Sequence, residues 1–146
     1  MWRSRTRPTP PAAGKPTFQL GVDEMEMGVG IHGEPGRKRV KLGSADEIAA
    51  ELTGAILKDL SLPRGQAVIL LVNGFGGTPL LELYLMVNAT TKVLNEAGVK
   101  VVRHLTGSYV TSLEMAGCSV TVTAVDETML ALWDTPVHTP ALRWGM

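Results

Sequence analysis

The most pointed chemical setting in this sequence belongs to His32, in the run Gly30-Ile31-His32-Gly33-Glu34-Pro35-Gly36. Glycines around an imidazole let backbone approach a small ligand closely. With an unperturbed pKa of about 6.5, the ring is partly neutral and nucleophilic near pH 7. Glu34, two residues on, could orient or acidify a neighbouring group. A histidine that merely caps the turn at a strand end explains the same pattern, and from composition alone it is the commoner reading. A second candidate is Asn73-Gly74-Phe75-Gly76-Gly77-Thr78-Pro79, a glycine-rich link from a strand to a helix N-terminus, where phosphates often bind. It has no Gly-Lys-Ser/Thr, no lysine between Lys58 and Lys92, and not the dinucleotide glycine spacing. It therefore reads first as a tight turn packed on a neighbour, and only second as an independent nucleotide-binding loop. His104 and His138 lie far from His32 and from each other, without the helical spacing of a zinc pair. No metal site is expected.

These residues need elements to hold them. Phe18, Leu20 and Val22 alternate as in a half-buried strand. The phase slips at Asp23-Glu24, predicting a turn or bulge, and resumes on Met25, Met27, Val29 and Ile31. Pro35-Gly36 then reads as a type II turn. Residues 44–60 are predicted helical, from the capping box Ser44-Ala45-Asp46-Glu47 and the stripe Ile48, Leu52, Ile56, Leu60. Ala67 to Val72 is a β-branched-rich apolar run, as in a strand covered on both faces. A helix follows, with Thr78 as N-cap and Pro79 as first residue, ending at Gly98. Residues 99–105 and 118–125 are predicted strands with a loop between them. Asp126 caps a short helix to about Trp133, and residues 135–140 form an extended tail. Strands alternating with helices give an α/β domain with a mixed β-sheet and packed helices.

The chain has 146 residues and a formal net charge of zero, but the charge is unevenly placed. Arg3, Arg5, Arg7 and Lys15 stand in a proline-rich head without acids, while the remainder is mildly acidic. Residues 1–10 are read as a basic leader, expected to be disordered, and 11–146 as the domain. A body without basic patches gives no reason to bind nucleic acid. The single cysteine, Cys118, excludes an intrachain disulfide framework. No apolar run approaches the roughly 20 residues of a membrane helix, so no membrane association and a cytoplasmic location are expected.

Four blocks in order resemble the dihydroxyacetone (glycerone) kinase substrate-binding subunit, DhaK type. They are Glu24 to Gly36, Leu71 to Pro79 with Glu82-Leu83-Tyr84, Gly107 to Gly117, and Pro136 to Ala141. The resemblance covers about residues 11–143 and implies the second, C-terminal domain of such a subunit. It further implies glycerone kinase activity, a phosphotransfer to an alcohol group, with His32 as the catalytic residue that binds the ketone carbonyl of dihydroxyacetone as a covalent hemiaminal. ATP or ADP with Mg would sit on a DhaL-type domain or partner subunit, with no cofactor on this chain, and the subunit would be a homodimer. In the family an N-terminal domain supplies a further histidine and an aspartate for acid–base work, so half an active site is expected here. The alternative is a catalytically inactive truncated homologue that keeps only a dimerisation or ketone-sensing role.

Overall fold

The computed structural model describes residues 2–4, 19–30, 36–112 and 115–145. Its sequence of elements is β1 (Trp2–Ser4), β2 (Glu24–Met27), β3 (Lys38–Lys41), α1 (Ala45–Leu60), β4 (Ala67–Gly74), α2 (Leu80–Glu96), β5 (Lys100–Gly107), β6 (Ala116–Ala124), α3 (Glu127–Trp133), β7 (Val137–His138) and β8 (Arg143–Trp144). Six strands form one sheet in the order β3-β2-β1-β6-β4-β5. Only β4 and β5 run parallel, joined by α2 as the crossover; the other neighbours are antiparallel. The expected mixed α/β architecture is what forms.

The core lies between one face of this sheet and helices α1 and α2. Met25 and Met27 of β2, Val68, Leu70 and Val72 of β4, and Cys118, Val120 and Val122 of β6 all point to that face. Ile48 and Leu52 of α1 and Leu83, Met86 and Leu94 of α2 close over them. Strand period 2 meets helix period 3.6 here, as the apolar spacing requires. On the opposite face α3 flanks part of the sheet. Ile69, Val125, Met129, Leu132 and Trp133 line an apolar groove of about 370 Å³ there. Asp134 ties this layer down, accepting from Arg103 Nε at 2.9 Å and Nη2 at 2.7 Å. Those bonds hold its carboxyl below the usual range. Trp133 stacks edge-on against Trp144 of the β7–β8 hairpin at 6.1 Å, which folds the expected extended tail back on itself.

The helix expected over 44–60 forms, with the complete capping box: Glu47 N–H donates to Ser44 Oγ, and Ser44 N–H donates to Glu47 Oε2 at 2.8 Å. Three expectations are corrected. Over residues 19–23 there is no strand. Gly21 and Glu24 close a turn through Glu24 N–H to Gly21 O and Gly21 N–H to Glu24 Oε2, leaving Val22 72% exposed. Pro79, not Thr78, is the N-cap of α2, because Thr78 Oγ1 is spent elsewhere. Finally, Trp2–Ser4 is a strand inside the sheet, paired with β2 on one side and β6 on the other, so these three residues are not part of a disordered leader. Strand β3, Lys-Arg-Val-Lys, went unread because only Val40 packs on the core.

Two measurements test this account. Glu47 titrates below the ordinary carboxylate value because the Ser44 backbone N–H, then the Ser44 hydroxyl, bond its charged form. Its contribution is therefore present above the unfolded-state value near 4 and is lost as pH falls through its lower folded-state value. The gap in urea midpoint between wild type and Glu47→Ala will be present at pH 7 and vanish in acid. Thr90 is fully buried, and among the described residues its hydroxyl has no partner. Thr90→Val is expected to stabilise by about 1 kcal/mol in urea unfolding, since a buried unbonded hydroxyl costs at least that.

Candidate functional site

His32 and residues 31–35 lie outside the described residues, but the frame that carries them is defined. Strands β2 and β3 form an antiparallel hairpin with Met27 opposite Lys38, and residues 28–37 connect them. Arg37 N–H donates to Met27 O at 2.7 Å, closing the base. Gly28 has φ +73°, and a β-carbon there would come within 2.8 Å of Arg37 Cγ, so only glycine fits comfortably under that side chain. At the other end, Gly36 N–H donates to Glu26 Oε1 at 2.9 Å. His32 thus sits midway along a connection fastened at both ends. A groove of about 670 Å³ has Gly28, Val29 and Arg37 on one wall and Leu52 and Ile56 of α1 on the other.

The glycine-rich link 73–79 behaves as the tight-turn reading expects. Gly77 N–H donates to Met115 O, and Gly76 bridges Met115. Thr78 Oγ1 accepts from Gly117 N–H at 2.7 Å and donates to Gly117 O at 2.9 Å. One hydroxyl thereby satisfies both backbone groups of a residue on β6. The Gly77 N–H and the Thr78 hydroxyl are thus engaged within the chain.

Asn73 went unread as a structural residue. It is 2% exposed at the end of β4. Its Oδ1 accepts from Tyr109 N–H and Val110 N–H, both at 2.9 Å, and its Nδ2 donates to Val110 O at 2.8 Å. The link after β4 and the loop after β5 are thus held together at the carboxyl ends of the two parallel strands. The signal was an amide ending an apolar run, where a side chain must supply bonds the ladder no longer provides. His104 is exposed, edge-on to Tyr84 at 6.3 Å, with Nδ1 3.4 Å from Thr106 Oγ1. His138 is exposed in β7. The structure brings neither together with the His32 hairpin, and among the described residues no group of acids, histidines and cysteine is placed to hold a metal. No helix of the described residues is long and apolar enough to cross a membrane.

With this geometry in view, comparison with known proteins is direct. The Dak1 domain model matches residues 3–141. The chain belongs to the Dak1 family. It is 45% identical to the PEP-dependent dihydroxyacetone kinase, dihydroxyacetone-binding subunit DhaK of Escherichia coli (strain K12), over 94% of this chain and 45% of that protein. It is 40% identical to the human Triokinase/FMN cyclase over 89% of this chain and 23% of that one. Among solved structures, the dihydroxyacetone kinase operon co-activator Dha-DhaQ superposes with a TM-score of 0.83 at 32% identity, covering 92% of this chain and 42% of that one. The chain spans less than half the length of the relatives named here.

Asn73→Ala removes three bonds and strands their backbone partners, so it is expected to cost about 2–4 kcal/mol in urea unfolding. It will also open residues 108–112 to limited proteolysis. An unchanged urea midpoint and cleavage pattern would refute the role given to Asn73.

Proposed function

We propose that this chain is a dihydroxyacetone-binding domain of a dihydroxyacetone kinase, with His32 as the residue that captures the ketone. The observation that carries the reading is 45% identity, across nearly the whole chain, to a subunit named for binding dihydroxyacetone. In the capture step a neutral imidazole nitrogen of His32 adds to the carbonyl carbon. A C–N bond forms and the C=O π bond opens. The ring gives up its N–H proton while the former carbonyl oxygen gains one, and no water leaves. Covalent attachment suits a ligand with too few atoms to bind tightly by contact alone, and it excludes glycerol, which has no carbonyl.

The captured hydroxyl then receives a phosphoryl group from ATP, or by relay through bound ADP, with Mg held on a DhaL-type domain or partner subunit. The internal use of Gly77 and Thr78 favours placing that nucleotide off this chain. A second reading, a ketone-sensing homologue without kinase activity, draws support from the likeness to a structure titled as an operon co-activator.

Mixed with dihydroxyacetone labelled with ¹³C at the carbonyl, the chain is expected to move that carbon signal from the ketone to the tetrahedral region. Its intact mass should rise by the full mass of the ketone. His32→Ala should abolish both, and an adduct that persists in the mutant would sink the assignment. Adding a DhaL-type subunit and its phosphate donor separates the readings: turnover marks a kinase domain, capture without turnover a sensor.

A further inference from the structure

We propose that Met129 is an oxidation site through which a hydroperoxide loosens helix α3 from the sheet. The proposal is independent of the reading of His32. Met25, Met27 and Met86 are buried in the core, whereas Met129 is 43% exposed. A thioether open to solvent is the form that peroxides reach. The sulfur of Met129 takes one oxygen from the hydroperoxide. The O–O bond breaks, the sulfur gives up two electrons, and the remainder leaves as an alcohol, or as water when the oxidant is hydrogen peroxide. The product is a sulfoxide, polar where the thioether was apolar. The thiol of Cys118, fully buried, is shielded from the same reagent.

What that change does follows from how α3 is held. Its seven residues are too few for a helix to persist alone, and none of them is buried outright. At its start the Asp126 carboxylate accepts from Met129 N–H at 2.8 Å. At its end Asp134 pairs with Arg103, but the two side chains are 42% and 40% exposed, and an ion pair in that setting contributes little. The attachment therefore rests mainly on an apolar seat. Met129 and Trp133, four residues apart and so on one side of the helix, line the groove together with the buried Ile69 and Val125.

A sulfoxide set against Ile69 and Val125 gives up water without gaining a bond from either, so the oxidised side chain is better placed in solvent. Its departure removes one of the two side chains that seat α3. The helix then opens more often, and the apolar surface of Ile69 and Val125 opens with it. Oxidation at one exposed sulfur is thereby read out as exposure of one face of the sheet.

The test treats the full chain with hydrogen peroxide, reads each methionine by peptide mass mapping, and follows α3 by amide hydrogen exchange. Met129 is expected to oxidise about tenfold faster than Met25, Met27 and Met86. Oxidation no faster than that of these three core methionines overturns the proposal. In the oxidised protein the amides of residues 129–134 are expected to exchange about fivefold faster than before treatment. Met129→Leu keeps an apolar side chain of similar volume without the sulfur, and under the same treatment its exchange should not change. Exchange unaltered by oxidation of the wild type, or raised equally in Met129→Leu, overturns the proposal as well.

Discussion

Strand β6 is paired along both edges, with β1 on one side and β4 on the other, and the rest of the molecule is arranged around that double pairing. Pairing on two sides leaves a strand one choice of face for each side chain. A slip of one residue would send Cys118, Val120 and Val122 to the α3 side and bring Ser119, Thr121 and Thr123 under the helices. The buried set admits only one register. With β6 fixed, β4 must lie against it so that Val68, Leu70 and Val72 join the same face, and α2 must cross over to place β5 beyond β4. The parallel unit β4-α2-β5 is thus seated by an antiparallel neighbour.

The polar residues of interest cluster where the ladders end. Asn73 takes over when β4 runs out, Thr78 when α2 is about to start, and Glu26 where the β2–β3 hairpin opens into its connection. Each is a side chain standing in for a backbone partner that regular structure cannot supply at that point. Each also spans a long stretch of sequence, so none could have been paired with its partner from local pattern.

That distinction sets what the sequence disclosed. Elements with a strong local signature were legible: α1 from its capping box and four-residue stripe, β4 from its unbroken apolar run, and the end of α2 from Gly98, which indeed takes a positive φ of 80°. Elements that exist only because a neighbour pairs with them were not. Lys38–Lys41 carries three basic residues in four and becomes a strand through β2 alone. Trp2–Ser4 has no alternation to read, being held by two neighbours far off in sequence. At the candidate site, glycines around His32 were visible as permissive backbone. Why residue 36 must be glycine was not, since the atom it avoids belongs to Glu26.

The three-residue length of β1 has an energetic corollary. It stands between the β2–β3 hairpin and the β6-β4-β5 portion, so among the described residues the ladder joining those two parts runs through Trp2, Arg3 and Ser4. A junction so short supplies few cooperative hydrogen bonds, whereas β4 and β6 share a long antiparallel ladder. Backbone pairing within the sheet is therefore thinnest at β1, and an opening that parts it there breaks the fewest ladder bonds. The hairpin that leads to His32 then belongs to the more readily released province of the molecule, and the βαβ unit to its bedrock.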